Sequence, residues 1–299
     1  TIKALKESDF LLEVIKGVYQ VNPTDVTPFI DGKTTVELEL INDQNYVILF
    51  WAQSFGKGIY NTADLRNVSY AKNVTTDYAA NQGDYAAFSG AAFIKKVKGA
   101  STKGVTLTRP FAQINIATAD PKNYNVTVNS TAVTVKGAGA GFNVANQEAI
   151  SGGDSYQVVF AAEGMPADET LIVNNNTYYS NVVNEEGKED NHHYIAMNYV
   201  FAAGDVDVDY TINTDHGTVT GTVPSAPVAT NYRTNIIGDL LTSNVKYEVT
   251  LDDTWGTPEE LVTVWDGETL DEPEMEVDEV TNEPTYVVSK PSELAYLAA

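Results

Sequence analysis

A chain of 299 residues is long enough for one large domain or two ordinary ones, so size alone demands no disulfide or metal staple. With no cysteine it has no disulfide framework, no cysteine-ligated zinc or iron–sulfur site and no thiol nucleophile. Its 18 basic and 41 acidic residues give a net charge of −23, a potential that repels phosphate backbones and anionic headgroups and argues against nucleic acid or a membrane surface as partner.

In chain order, Thr1 to Lys6 offers no apolar export signal, so any such signal is expected to have been removed or to lie outside this chain. Residues Ser8 to Val18 place Leu11, Val14, Ile15 and Val18 either on a helical stripe or along an opening strand, and their branched character leans toward strand. The TVELEL run at Thr35 to Leu40 alternates as a half-buried strand should, and YVILFWA at Tyr46 to Ala52 suits a central strand covered on both faces. That second run is the longest apolar stretch and falls far short of the roughly 20 residues of a membrane helix. Asp64 to Ala87, polar with scattered tyrosines, is expected to be a long excursion holding a short helix before a strand over Phe88 to Val97.

Further strands are expected at Val105–Thr108, Ala112–Thr118, Tyr124–Val128, Thr131–Val135, Tyr156–Ala161, Leu171–Val173, Tyr194–Ala202, Val206–Ile212, Thr218–Val223 and Val245–Leu251. Turn clusters separate them, among them GAGAG at Gly137–Gly141, SGGD at Ser151–Asp154 and NNN at Asn174–Asn176. Short strands at regular spacing point to all-β sandwiches, and no alternating βα pattern supports a parallel doubly wound sheet. Asp271 to Pro284 joins prolines to a dense run of carboxylates and reads as an extended, self-repelling linker. Beyond it, YVVSKPSELAYLAA reads as a strand and a helix start, so a further module is expected to follow.

The chemistry-bearing residues do not assemble a catalytic pattern, and no catalytic, cofactor-binding or metal-ligating residue is assigned. His192 and His193 are neighbours that point to opposite faces of a strand, and His216 stands apart. GxSxG, HExxH and phosphate-loop motifs are absent. The GAGAG stretch is followed by FNVANQ where a dinucleotide site needs a helix, so it is expected to be a flexible hairpin or bulge. Asp205, Asp207 and Asp209 fall on one strand face and offer oxygen donors of the kind calcium takes. They fit no EF-hand, since Tyr210 and His216 occupy the glycine and glutamate positions, and a solvated, charge-protected strand face is the simpler reading. Trp255 and Trp265 near the acidic segment raise a glycan-stacking alternative, whereas Trp51 in its apolar run belongs in a core.

Four segments occur in an order that carries a resemblance: FWAQ at Phe50–Gln53, RPFAQINIAT at Arg109–Thr118, YIAMNYVFA at Tyr194–Ala202 and NYRTNIIGDLLT at Asn231–Thr242. Together the chain resembles the fimbrillin-like cell-surface proteins of Bacteroides-type bacteria. The resemblance implies two consecutive transthyretin-like β-sandwiches, expected over residues 1–104 and 105–256, then the acidic linker and the start of a further module at 257–299. It also implies a lipoprotein precursor exported to the outer membrane surface and a non-enzymatic structural or adhesive role in pili, without cofactor. Its expected partners are other pilus or surface subunits and a host protein or glycan. In that family a protease removes a first strand after an arginine and a strand from another subunit fills the groove. Here the arginines are Arg66, Arg109 and Arg233, none near the start, and an acidic stretch stands where a donor strand would close the chain. The first departure leaves the strand-removal step without its arginine, and the second favours a tip, accessory or multidomain protein over a shaft subunit.

Overall fold

The computed structural model describes residues 2–6, then 35–253 apart from 54–57, 77, 119–125, 167–169, 175, 180–191 and 242–245, and the short stretches 274–277 and 284–287. In chain order the strands are β1 (Ile2–Lys6), β2 (Tyr46–Gln53), β3 (Tyr60–Asn61), β4 (Val68–Tyr70), β5 (Tyr78–Ala79), β6 (Ala87–Ile94), β7 (Ala112–Thr118), β8 (Val128–Lys136), β9 (Gly139–Asn143) and β10 (Glu148–Ser151). They continue with β11 (Gln157–Glu163), β12 (Thr170–Val173), β13 (Asn176–Tyr179), β14 (His192–Val200), β15 (Val206–Thr214), β16 (Gly217–Ala226), β17 (Arg233–Asp239), β18 (Lys246–Asp252), β19 (Glu274–Val277) and β20 (Pro284–Val287). Among the described residues the only helical turn is a 3-10 turn at Gly83–Tyr85, so the chain is all-β.

Two large sheets dominate, a six-stranded one in the order β12-β13-β14-β7-β17-β18 and a five-stranded one in the order β16-β15-β8-β11-β5. Ile114, Ile116 and Ile236 of the first and Val133, Val135, Val208, Tyr210 and Ile212 of the second belong to one buried cluster, so the sheets are layered about a common core. On β8 and β15 burial alternates with the strand period, as a sheet with one solvated face requires. Strand β7 is buried at every residue because it lies between β14, antiparallel, and β17, parallel, in the middle of its sheet.

A three-stranded sheet, β1-β2-β6, carries the apolar run at its centre. Val47, Leu49 and Trp51 point into the main core, while Tyr46 and Ile48 face a second cluster with Val36, Leu38 and Leu40. The run is therefore covered on both faces, as its continuous apolarity predicts. The alternation at Thr35–Leu40 is also real in its packing, since Val36, Leu38 and Leu40 are half-buried and the residues between them exposed. That segment nevertheless joins no ladder: it lies as an extended cover on β2, held at its end by the Ile41 N–H donating to the Tyr46 hydroxyl at 3.2 Å.

The tyrosine-rich excursion holds the short helical turn at Gly83–Tyr85 just before β6, and it also forms short strands that the sequence pattern does not mark. Strand β3 pairs with β4, and β4 with β9, in a four-stranded sheet of order β10-β9-β4-β3, and β5 adds in parallel to β11. Ladders thus run between residues on either side of position 104. The GAGAG stretch turns at Gly137, with φ of 81°, and then becomes strand β9. Glycine is required there because a Cβ at Gly141 would fall on the Val68 carbonyl of β4, so the small residues let two backbones meet. Within the stretch expected as a linker, β19 and β20 pair antiparallel, with Pro284 at the first position of its strand.

Candidate functional site

The motif segments converge. YIAMNYVFA supplies β14, RPFAQINIAT supplies β7 and NYRTNIIGDLLT supplies β17, which are adjacent in the six-stranded sheet, and FWAQ ends β2 against them. Phe111 is fully buried and stacks on Tyr60 at 5.2 Å, meets Phe201 at 5.0 Å and takes the edge of Trp51 at 6.2 Å. The Trp51 indole N–H donates to Gln53 at 2.8 Å, so FWAQ places an aromatic and its own polar partner together. Arg109 lies over the Phe88 ring at 4.9 Å, and burial draws its guanidinium below its ordinary pKa, although arginine keeps its charge.

Along β7 the polar residues of the motif form a ladder across three strands. Gln113 accepts from the Arg233 Nε–H at 3.0 Å, and Asn115, completely buried, donates to Asn235 at 2.8 Å and accepts from the Tyr194 hydroxyl at 2.6 Å. The Thr118 hydroxyl donates to the Gly238 carbonyl at 3.0 Å. Buried amides are tolerable only when bonded in this way, and such a network fixes which strands neighbour one another. Gln113, Asn115, Thr118 and Asn235 are thus committed to the interior, while Arg233 is half-buried.

The tyrosines of the excursion make a second buried group that sequence pattern does not identify. Tyr70 meets Tyr78 at 5.2 Å and Phe201 at 5.0 Å, while the Tyr60 hydroxyl donates to the Tyr85 carbonyl and the Tyr78 hydroxyl to the Ile59 carbonyl, both at 2.8 Å. Burial raises the phenols of Tyr60 and Tyr70 well above their ordinary value and pushes Tyr78 up to about 12. Their irregular spacing conceals them, because two- and three-residue strands carry no period.

The aspartates fall where the period places them, but they diverge to separate partners. Val206, Val208 and Tyr210 are buried while Asp205 and Asp207 are exposed. Asp207 accepts from the Ser225 N–H at 2.9 Å, whereas Asp209 accepts from Thr222 at 2.8 Å and lies 2.5 Å from the Lys136 ammonium. The Lys136 and Thr222 hydrogen bonds hold the Asp209 carboxyl below its usual range. Among the described residues no three His, Asp or Glu side chains gather where they would hold a metal ion. His193 is buried on β14 opposite Thr118, and His216 sits exposed in the β15–β16 turn, 2.8 Å from Asp215. The His192 side chain, Trp255 and Trp265 lie outside the described residues.

Among the described residues the sheet borders are accessible as well as the solvated faces. Strand β18 closes the six-stranded sheet and pairs with β17 on one side, with no described strand on the other. On one face it carries Tyr247, 39% exposed, and Leu251, 43% exposed, flanking the half-buried Val249. Strand β16 at the border of the five-stranded sheet is blunted by Pro224 and by Ser225 at a φ of 49°, whereas β18 has neither proline nor glycine.

The fold defines an all-β protein of layered sheets in which, among the described residues, β18 borders one sheet with no described strand on its outer side. The chain belongs to the Family of unknown function (DUF6562), whose model matches residues 6–283. No curated protein matches it. Among solved structures it is similar to a "putative adhesin" from Bacteroides thetaiotaomicron, at 9% identity over 86% of this chain and 88% of that one, with a TM-score of 0.48. It is also similar to a "putative cell adhesion protein" from Bacteroides ovatus, at 12% identity, 84% and 86% coverage and a TM-score of 0.43. A third is the fimbrial anchor protein Mfa2 from Porphyromonas gingivalis, at 10% identity, 83% and 85% coverage and a TM-score of 0.41. No helix among the described residues is long and apolar enough to cross a membrane.

Proposed function

We propose that this chain is a non-enzymatic cell-surface protein of the fimbrial type, structural or adhesive, acting as a tip, accessory or multidomain component and not as a repeating shaft subunit. The observation that carries the reading is the convergence of the four resemblance motifs, three of them on adjacent strands β14, β7 and β17 and the fourth packed on them through Trp51 and Phe111. Motifs that share one interior are evidence for a shared fold, and the role follows from the resemblance. In this reading residues 1–104 and 105–256 are two transthyretin-like sandwiches joined through β4 on β9 and β5 on β11, with 257–299 an acidic connector. The precursor is a lipoprotein, and other surface subunits are its partners through strand donation, in which an incoming strand satisfies backbone groups and fills an apolar slot.

Two measurements test this. Protease shaving of intact producing cells removes the protein if it is surface-exposed and leaves it intact if it is internal. Peptides copied from strands of neighbouring surface subunits raise the melting temperature of the purified chain if a groove accepts them. Complete protection in intact cells overturns the surface role, and no gain with any peptide overturns strand donation alone.

A further inference from the structure

We propose that β18 is a self-complementary edge, pairing antiparallel with β18 of a second copy about a two-fold axis through Val249. This goes beyond the surface role proposed above and does not rest on it. The strand reads Lys246, Tyr247, Glu248, Val249, Thr250, Leu251, Asp252, and reversing it on itself about Val249 sets Lys246 opposite Asp252 of the second copy. The same register sets Tyr247 opposite Leu251, Glu248 opposite Thr250 and Val249 opposite itself.

Charge selects that register. Moving the axis one residue back puts Glu248 directly opposite its own copy, and moving it one residue forward puts Glu248 opposite Asp252. Directly opposed like charges destabilise an antiparallel pair, while opposite charges and aromatic–aliphatic pairs each contribute about 0.2–1 kcal/mol. Of the three axes that overlap at least five residues of the strand, only the Val249 axis avoids the first and gains the second. It also covers Tyr247 and Leu251, two of the four large apolar side chains exposed among the described residues, both on the same face of this strand. An isologous pair of this kind closes on itself and joins two six-stranded sheets edge to edge. The axis passes through a hydrogen-bonded or a non-hydrogen-bonded pair equally well, so backbone pairing imposes no obstacle. A seven-residue strand pair buries less than the roughly 1,200 Å² of a typical stable interface, so association is expected to be weak and concentration-dependent.

Sedimentation equilibrium of the 299-residue chain tests the pairing. Lys246→Glu alone sets a glutamate opposite Asp252, and Asp252→Lys alone opposes two cations, so each variant should raise the dimer dissociation constant at least tenfold. An equimolar mixture restores both opposite-charge pairs and should recover dimer. Across β17, Asp239 stands opposite Lys246 and Arg233 opposite Asp252, so each substitution also perturbs its own chain, and mixing holds that effect constant. The register has a separate readout because the chain has no native cysteine. Val249→Cys brings two thiols across the axis with Cα atoms about 4.5–5.5 Å apart, within disulfide range, and should cross-link under mild oxidant. Glu248→Cys and Thr250→Cys should not. Wild-type chain that stays monomeric at every concentration, a mixture no more associated than its components, or cross-linking at 248 or 250 equal to that at 249 overturns the proposal.

Discussion

Asn115 offers the sharpest test of how the motif residues act. Its side chain is completely buried, donates to Asn235 at 2.8 Å and accepts from Tyr194 at 2.6 Å, linking β17, β7 and β14. Asn115→Ala removes two hydrogen bonds of about 0.5–1.5 kcal/mol net each and leaves the buried Asn235 carbonyl without that donor, an added cost of about 1–3 kcal/mol. The sum is about 2–6 kcal/mol, a large part of the 5–15 kcal/mol by which a folded domain is typically stable. At roughly 2–4 °C per kcal/mol for a unit of this size, the melting temperature should fall by about 4–24 °C. Urea titration followed by tryptophan fluorescence and far-ultraviolet circular dichroism reads the change. Asn115→Leu separates the causes: it refills the space but restores neither bond, so it should remain destabilised if hydrogen bonding dominates. An alanine variant within about 1 kcal/mol of wild type refutes the assignment of Asn115 to a stabilising network.

Three further outcomes follow from the geometry. Gly141→Ala directs a methyl group at the Val68 carbonyl and should separate β4 from β9, seen as faster amide exchange over Val68–Tyr70 with little change in β15; unchanged exchange would remove the close-approach argument. The buried phenols of Tyr60, Tyr70 and Tyr78 have raised folded pKa values, so their stabilising contribution is complete below the unfolded value of about 10 and is lost as pH rises through the folded values. Alkaline titration should therefore show these tyrosinates appearing together with unfolding, and their ionisation in a chain with native circular dichroism counts against the burial. Asp209 has a lowered folded pKa, so its contribution is present above the unfolded carboxylate value and lost as pH falls through the folded one. Asp209→Asn should flatten the acid limb of the stability curve slightly and leave neutral-pH melting close to wild type, because the pair with Lys136 is exposed to solvent; an unchanged acid limb rejects the coupling.

Long strands were legible where burial imposes a period. The segments around Thr131–Val135 and Val206–Ile212 alternate because one face is solvated, and Tyr46–Ala52 is uniformly apolar because both faces are covered. Alternation does not encode pairing, which is why Thr35–Leu40 packs as a strand would and still joins no sheet. The glycines at 137–141 read as a loop because their function is distal: only the Val68 carbonyl, far away in sequence, shows why a side chain is forbidden at Gly141. The same limit hid Tyr60, Tyr70 and Tyr78, whose strands are held through β9 and β11 and not by local propensity. Charge was informative mainly about layout. From Asp252 onward 14 acidic residues face one lysine, and β19 pairing with β20 shows that even this segment contains ladder structure.

The six-stranded sheet separates what identifies the protein from what is available to a partner. Its centre, β14-β7-β17, holds the motif residues, and Phe111, Asn115, Ile116 and Asn235 are all buried. A ligand cannot read side chains that are enclosed, so these four residues serve the scaffold. Recognition must draw on borders and solvated faces, and these differ in what they offer. The outer face of β8, β15 and β16 is already engaged in Asn213 to Ser130, Thr218 to Asn213, Thr222 to Asp209 and Lys136 to Asp209 contacts, a solvated polar lattice. Strand β18 instead keeps apolar area and a border with no described strand beside it, one strand away from the motif core. Substitutions on β18 can therefore alter association while β7 preserves the fold, and substitutions on β7 should lower stability without changing which surface a partner meets.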